Sequence, residues 1–275
     1  MTDGSPATRR RSSGGTGREA QLDFSALTDP GRQRADNEDA WFADAERGLF
    51  LVSDGMGGQV AGALASKIVV EVLPQMLQQR MGNWPAFPLD EAIETARNSL
   101  RELSELVRQR TKGQPGLDGM GATAVLALVH DGRALIAHLG DSRAYLFRAG
   151  RLKRLTTDHT IARLLVESGD ISEKEVLTHP TNSQLTRFVG MKGEPLPEVK
   201  SISLKPRDRL LLCTDGLTRM VNDRKLAALL QKGQSLPTSC TSLVVAANEA
   251  GGEDNITAIL VSLCGRGILP LASPT

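Results

Sequence analysis

The sequence predicts an α+β fold built in layers, with antiparallel strands and pairs of helices packed against each other. Two observations support this prediction. Strand patterns occur in clusters joined by tight turns, which is typical of antiparallel sheets. Helical patterns occur in pairs, between those clusters and after them. A doubly wound parallel sheet would instead require strands and helices to alternate regularly along the chain.

The first half of the domain combines two strand patterns with two long helical patterns. Apolar and polar residues alternate over residues 22–26, as in a strand with one buried face. The apolar run 49–52 predicts a buried strand. Apolar residues recur at helical spacing over residues 60–79 and 89–110, so each stretch predicts a helix with one apolar face.

The second half opens with three consecutive strand patterns and ends with another pair of helices followed by a last strand. Asp131-Gly132 is a hairpin signal between the first two strands. The predicted strands cover residues 123–130, 134–139, 144–147, 152–155, 198–204, 210–214 and 256–263. The predicted helices cover residues 161–167, 223–230 and 238–249. Residues 170–193 have mixed character and predict a long surface excursion, a kind of segment that is often functional.

The 275 residues are enough for one large domain with a full hydrophobic core. We expect a disordered tail over residues 1–20, where Gly, Ser, Thr and Pro dominate and too few apolar residues are present to offset the entropy of ordering. The folded domain is expected over residues 21–265, and a second tail over residues 266–275.

Charge and cysteine content exclude several classes of function. The chain has 33 basic and 32 acidic residues, a balance that argues against a nucleic-acid or anionic-membrane partner. Three widely spaced cysteines form no CxxC pair, so they predict free thiols rather than a zinc site. No signal peptide and no membrane span is apparent, and nothing suggests an obligate partner. A cytoplasmic monomer is therefore expected.

Carboxylates lie at the ends of five predicted strands. Asp54, Asp141 and Asp215 follow strand patterns and are each next to a glycine, whereas Asp39 and Asp254 precede strand patterns. One Asp-Gly after a strand is usually only a turn. Five such placements predict a single acidic cluster at the rim of the sheets.

A cluster of carboxylates requires positive charge between its members, because the carboxylates repel one another. Oxygen-only ligands favour Mg²⁺ or Mn²⁺ over zinc, and the backbone carbonyl of Gly55 can add a further ligand. Two such ions lying about 3.5–4 Å apart are the usual apparatus for displacement at a phosphoester. Arg34, five residues before Asp39, is suited to hold the phosphate.

The order of short motifs resembles that of the PPM (PP2C-type) protein serine/threonine phosphatases in their compact bacterial form. The resemblance covers about residues 21–263, and six motifs in order make it specific. The motifs are Arg34-x-x-Asn37-Glu38-Asp39, Ser53-Asp54-Gly55-Met56-Gly57-Gly58, Gly121-Ala122-Thr123, Gly140-Asp141-Ser142-Arg143-Ala144, Thr214-Asp215-Gly216-Leu217 and Asp254-Asn255-Ile256-Thr257.

The resemblance implies a four-layer α-β-β-α sandwich and an enzyme that hydrolyses phosphoserine and phosphothreonine in proteins. Its substrates would be phosphorylated proteins, opposing a serine/threonine kinase, and a metal-bridging water would be the nucleophile. Asp54 and the Gly55 carbonyl would lie between two core ions of Mn²⁺ or Mg²⁺. The remaining roles implied are metal ligation by Asp39, Asp215 and Asp254, a third, weaker ion at Asp141, phosphate binding by Arg34, and an active-site flap between Thr157 and His179.

The sequence departs from the family pattern at positions that leave the general acid open. Gln59 and Ala63 stand where many bacterial relatives have His and Glu, and Met56 stands where many eukaryotic relatives have a proposed acid. A metal-bound water, His159 and His179 are the candidates. Two other functions are also open: an inactive phosphoprotein-binding module, and a hydrolase for a small phosphoester.

Overall fold

The computed structural model describes residues 7–9, 21–82, 88–114, 116–117 and 119–264. Its strands are β1 Ala7–Arg9, β2 Gln21–Asp29, β3 Asp39–Asp44, β4 Leu49–Met56, β5 Gly121–Ala122, β6 Ala124–His130, β7 Arg133–Leu139, β8 Arg143–Arg148, β9 Arg151–Arg154, β10 Glu198–Ser203, β11 Arg209–Cys213 and β12 Ile256–Cys264. Its α-helices are α1 Gln59–Met81, α2 Leu89–Thr111, α3 Ile161–Ser168, α4 Asp215–Met220, α5 Asp223–Gln231 and α6 Leu236–Glu249.

The strands form two antiparallel sheets. One sheet has the order β1-β2-β12-β11-β8-β9, and the other has the order β10-β7-β6-β4-β3, with β5 paired to the end of β4. Every named strand pairing is antiparallel. The sequential strands β6, β7 and β8 follow the predicted boundaries to within one residue at each end.

Three apolar layers hold the sheets and helices together. The middle layer lies between the two sheets, and the outer layers lie under α1 and α2 on one side and under α4, α5 and α6 on the other. In β6, Leu126 faces the α1–α2 layer while the next residue, Ala127, faces the other sheet. Both faces of the strand are buried, and the predicted four-layer α-β-β-α sandwich is confirmed.

Helix α1 has the length and composition of a membrane span over Val60–Met81. The sequence analysis expected no apolar run of that kind. Within the fold, 56% of the most apolar 18-residue window of this helix is buried, and residues such as Val69 and Leu73 are fully enclosed by the second sheet and α2. The apolar composition of α1 is therefore accounted for by packing as a core helix.

Two elements differ from the sequence expectations. Residues 7–9, expected to be part of a disordered tail, pair with β2, with Ala7 opposite Ala26. Backbone groups at the edge of a sheet accept a further strand whatever its side chains are. Residues 215–220, for which no helix was predicted, form the short helix α4. The rest of the predicted tails, residues 1–6, 10–20 and 265–275, lies outside the described residues.

Candidate metal centre and phosphate site

A cavity of about 350 Å³ opens where the ends of the two sheets meet. Both sheets contribute aspartates to its wall, as predicted from the positions of these residues at strand ends. Asp54 comes from β4 of the second sheet, Asp141 from the turn that joins β7 of the second sheet to β8 of the first, and Asp215 and Asp254 flank β11 and β12 of the first sheet. Of the seven predicted site residues, the wall contains Arg34, Asp54, Gly55, Asp141, Asp215 and Asp254.

The seventh predicted residue, Asp39, lies behind the wall. It is directly opposite Asp54 in the pairing of β3 with β4. Its Oδ2 accepts hydrogen bonds from Thr214 Oγ1 at 2.8 Å and from Thr257 Oγ1 at 2.7 Å. Its Oδ1 is buried and has no hydrogen-bond partner. Two carboxylates directly opposite each other on neighbouring strands are destabilising unless a cation lies between them.

The close approach of α1 to the end of β4 requires glycine on both sides. A Cβ on Gly55 would lie 2.0 Å from the carbonyl oxygen of Gly62, and a Cβ on Gly62 would lie 1.9 Å from Glu38 Oε2. The contact holds the Gly55 backbone at the cavity wall, next to Asp54. This is the place from which the Gly55 carbonyl was expected to act as a ligand.

Thr123 positions two of the aspartates through its backbone and its hydroxyl. The Asp54 N–H donates to Thr123 Oγ1 at 2.9 Å, and the Thr123 N–H donates back to the Asp54 carbonyl at 2.8 Å. Thr123 Oγ1 also lies 2.6 Å from the hydroxyl of Ser142, the residue after Asp141. One side chain therefore connects the end of β4 to the turn that carries Asp141.

Asn255 links the loop that carries Arg34 to the start of β12. Its Oδ1 accepts a hydrogen bond from the Glu38 N–H at 2.8 Å, and its Nδ2 donates to the Asp36 carbonyl at 2.9 Å. The sequence analysis quoted Asn255 within a motif but assigned it no role. Its position next to Asp254 is the signal that could have identified it.

Burial and mutual repulsion raise the pKa values of the clustered aspartates. Burial raises the pKa of Asp39 to about 7, although hydrogen bonds from Thr257 and Thr214 oppose the rise. Burial, followed by neighbouring carboxylates, raises the pKa of Asp54 and Asp141 well above the usual range. Burial also raises the pKa of Asp215, against the charge of Arg219. Ionised together, these groups need additional positive charge.

The residues of the cavity fit divalent metal ions. The donors are carboxylate and carbonyl oxygens, which hard cations such as Mg²⁺ and Mn²⁺ prefer. Asp39 Oδ1 and Asp215 Oδ1 are buried without a hydrogen-bond partner. Buried polar atoms are nearly always satisfied in native proteins, so two such oxygens within one acidic cluster indicate ligand positions.

Two arginines border the acidic cluster. Arg34 Nη2 donates to Asp254 Oδ2 at 2.9 Å, and its side chain is 53% exposed. Arg219, which the sequence analysis missed, pairs through Nε with Asp215 Oδ2 at 2.8 Å. Its signal was the spacing of four residues after Asp215, which places both side chains on one helix face once α4 is recognised.

Neither candidate histidine lies on the cavity wall. His159 is 4% exposed, and its Nδ1 accepts a hydrogen bond from the Gly140 N–H at 3.1 Å. Since Nδ1 accepts, Nε2 carries the proton and donates to Glu198 Oε1 at 3.2 Å. His179 Nδ1 is 2.8 Å from Thr181 Oγ1 within the segment that follows α3.

The segment after α3 contributes to the cavity through residues that follow the flap expected between Thr157 and His179. Ser183 and Leu185 line the wall opposite the aspartates, and Leu185 is bridged to Thr160 at the start of α3. Further along, Val189 is fully buried and pairs with Ala122. The excursion predicted over residues 170–193 therefore returns to the core at its end.

Comparison with known proteins agrees with the fold and identifies similar proteins as protein phosphatases. The family described as Protein phosphatase 2C matches residues 31–253. The serine/threonine phosphatase Stp of Listeria welshimeri is 35% identical over 238 residues, which are 85% of this chain and 93% of Stp. The serine/threonine protein phosphatase PstP of Mycobacterium tuberculosis is 33% identical over 88% of this chain, which spans 45% of PstP.

The solved structures similar to this chain are also serine/threonine phosphatases. The crystal structure of Stp1 from Staphylococcus aureus has a TM-score of 0.81 and 31% identity, covering 92% of this chain and all of that chain. The catalytic domain of PstP in complex with two manganese ions has a TM-score of 0.76 and 30% identity, covering 89% of this chain and 99% of that chain.

The four-layer fold and the carboxylate-lined cavity define the class of metal-dependent protein phosphatases. Within that class, the chain belongs to the Protein phosphatase 2C family. The resemblance found in the six sequence motifs is thereby confirmed.

Proposed function

We propose that the chain removes phosphate from phosphoserine and phosphothreonine in proteins, using two divalent ions held in the cavity. One observation carries this proposal: four aspartates from two different sheets meet at one cavity, beside an arginine that can bind a phosphoryl group. That arrangement combines the ligands for hard cations with a guanidinium for the transferred group.

The proposed roles are those that the family resemblance implies, and the position of each donor in or next to the cavity is compatible with them. Asp54 and the Gly55 carbonyl would hold both core ions, and Asp39, Asp215 and Asp254 would complete the ligand set. When bound, Mn²⁺ or Mg²⁺ acts as a Lewis acid on the phosphoryl group and supplies an activated water as nucleophile. Asp141 is assigned to a third, weaker ion. We assign no preference between the two metals.

Arg34 is assigned to the phosphoryl oxygens. Its Nη2 is engaged by Asp254, which fixes the guanidinium at the mouth of the cavity and leaves other N–H groups of the fork for the substrate. The half-exposed side chain can reach a phosphate presented by a protein surface without opening the fold.

The leaving alkoxide requires a proton, and the described residues place no histidine on the cavity wall. His159 is buried, with both ring nitrogens engaged, and Met56, which does line the cavity, has no proton to transfer. Of the three candidates considered from the sequence, water at the site is the one we retain.

We further propose that the substrates are proteins phosphorylated by an opposing serine/threonine kinase and that the enzyme acts as a cytoplasmic monomer. The names of the relatives support protein substrates. Buried thiols at Cys213 and Cys240 are compatible with a reducing compartment. An inactive binding module is disfavoured because every predicted carboxylate is present in the cluster.

The test is hydrolysis of a phosphothreonine peptide by the metal-stripped protein, with and without added Mn²⁺. We expect turnover only with the metal, and a loss of at least about 10³-fold in Asp215→Asn, because a ligand oxygen is replaced by a neutral amide. Asp131→Asn, at the exposed hairpin between β6 and β7, is the matched control and should keep full activity.

Three results would contradict the proposal. Full activity in Asp215→Asn would remove that residue from the metal centre. Faster turnover of small metabolite phosphates than of the peptide would point to a small-molecule phosphoesterase instead. A folded, metal-loaded protein that hydrolyses none of these substrates would favour the binding module, and Gln59 and Ala63 would then be the first residues to change to His and Glu.

A further inference from the structure

Arg219 places a positive charge inside the acidic cluster. It lies one helical turn after Asp215 on α4, and its Nε is 2.8 Å from Asp215 Oδ2. Its side chain is 31% exposed, and it lines the same cavity as Asp54, Asp141 and Asp254. A divalent ion in this cavity would therefore meet a guanidinium that is already paired with one of its ligands.

The charge of Arg219 acts mainly on the side of the cluster formed by Asp141 and Asp215. Burial lowers the pKa of Arg219, but Asp215 and Asp141, followed by more distant aspartates, outweigh that effect and raise it. The same guanidinium opposes the rise of the pKa of both Asp141 and Asp215. Arg34, by contrast, pairs with Asp254 at the opposite end and is more exposed.

The two oxygens of Asp215 are in different situations. Oδ2 is engaged by Arg219, whereas Oδ1 is buried and has no hydrogen-bond partner. An ion that takes Oδ1 leaves the ion pair intact. An ion held by Asp215 and Asp141 together would compete with the guanidinium for the same carboxylates and would be repelled by its charge.

We propose that Arg219 is an internal cation that competes with a divalent ion for the Asp141–Asp215 pair. It holds these carboxylates when metal is scarce, and it lowers the affinity of the weakest metal position without blocking the core ions. The inference rests on the proposed metal centre. It makes Arg219 a positioning residue for the ligands, distinct from the phosphate-binding role assigned to Arg34.

The experiment is a calorimetric titration of Mn²⁺ into the metal-stripped full chain, comparing the wild type with Arg219→Gln. We expect the weakest Mn²⁺ position to bind about tenfold more tightly in the variant, because one positive charge next to the ligands is removed. Arg219→Lys should stay near the wild type. Arg224→Gln, which removes the same charge from an exposed position on α5, should have no effect.

Thermal unfolding provides a second readout that does not depend on activity. Without metal, Arg219→Gln should melt at a lower temperature than the wild type, since the carboxylates lose their counter-charge. Saturating Mn²⁺ should then raise its melting temperature by more than it raises that of the wild type. Arg219→Met, which retains most of the aliphatic stem, repeats both measurements if the Gln variant does not fold.

The outcomes separate this inference from the proposed function. A Mn²⁺ isotherm of Arg219→Gln that superimposes on that of the wild type overturns the inference while the metal centre stands. Unchanged Mn²⁺ binding with weaker inhibition by inorganic phosphate also overturns it and makes Arg219 a substrate contact. A wild-type protein that binds no Mn²⁺ overturns the metal centre and the inference together.

Discussion

Asp39, proposed above as a metal ligand, depends on neighbours that carry no charge. Its Oδ2 accepts from two threonine hydroxyls, Thr214 at the end of β11 and Thr257 in β12. Both threonines belong to the first sheet, whereas Asp39 belongs to the second. The hydroxyls fix the direction of the carboxylate, so that the unpartnered Oδ1 is the oxygen left for a metal.

At this scale we predict that Thr214→Val weakens Mn²⁺ binding by about 10- to 100-fold, because an outer hydrogen bond that orients a ligand is lost. The same change should lower the free energy of unfolding by about 1–3 kcal/mol, since a buried carboxylate loses a donor. Calorimetric titration and urea unfolding measure the two effects. Thr111→Val, at the end of α2, is the control, and equal affinities in the two variants would refute the role.

At the scale of elements, His159 holds the turn between β7 and β8 in place. Its ring accepts from the Gly140 N–H, and its own backbone N–H donates to the Gly140 carbonyl at 3.1 Å. The carbonyl of His159, which belongs to the flap, accepts a hydrogen bond from the backbone N–H of Thr186 at 2.8 Å. Through Glu198, the ring is also tied to β10. The turn that carries Asp141 is therefore connected to both the flap and the sheet edge.

The ring of His138 stacks on that of His159, with centroids 4.5 Å apart. Burial and the neighbouring His159 lower the pKa of His138 to about 4, so it is neutral at pH 7. Its Nε2 is 2.9 Å from the Thr157 carbonyl and serves as the donor there. Hydrogen bonding and ring stacking therefore account for the burial of these two histidines.

We predict that His159→Phe frees the Gly140 amide and lowers the free energy of unfolding by about 1–3 kcal/mol, because a buried N–H loses its acceptor. Hydrogen exchange at Gly140 should accelerate, a change that distinguishes positioning from a general loss of packing. Glu198→Gln keeps an acceptor for the Nε2 proton and should protect the Gly140 amide as the wild type does. If the Gly140 amide is protected in His159→Phe as well as in the wild type, His159 does not hold the turn between β7 and β8.

For the whole molecule, a buried ion pair joins the first sheet to the base of the flap. Arg143 Nε and Nη2 donate to the two oxygens of Asp158 at 2.9 and 2.6 Å, and both side chains are nearly buried. Arg143 also donates to the hydroxyl of Tyr145, which donates to Asp223 on α5. The network therefore spans sheet, flap and helix layer next to the catalytic turn.

We predict that Asp158→Asn costs about 3–5 kcal/mol of stability at neutral pH, because Arg143 is left buried without its counter-charge. Burial raises the pKa of Asp158, but Arg143 outweighs burial and lowers it below the ordinary 3.8. A lowered folded pKa means that the stabilisation is present above 3.8 and is lost as the pH falls through the folded value.

Urea unfolding between pH 3 and pH 7 measures this effect. The difference between wild type and Asp158→Asn should be largest at neutral pH and shrink below about pH 4. Asp131→Asn, at an exposed turn, should follow the wild type throughout. A difference that is independent of pH would show that the carboxylate charge of Asp158 contributes nothing.

The periodicity of apolar residues was enough to predict most elements to within two residues, since both sheets and the long helices bury regular faces. It was not enough for α4, which has only six residues and begins on a ligand, or for β1, whose pairing uses backbone groups. Five aspartates at strand ends predicted one cluster because antiparallel strands bring such ends to a common rim. The clustering of these aspartates can therefore be predicted from their positions at strand ends in the sequence.

The sequence by itself determined the layered fold and the acidic cluster, and it placed Arg34 at that cluster. Only the tertiary structure decided that Asp39 lies behind the wall, that His159 is a clamp, and that Arg219 enters the cluster. The position of Arg219 depends on Asp215 opening a helix that the apolar periodicity did not predict. The position of Asp39 depends on side chains from both sheets meeting across the core, with Asp39 and Thr257 separated by 218 residues. No local pattern reports such contacts, because packing of the two sheets creates them.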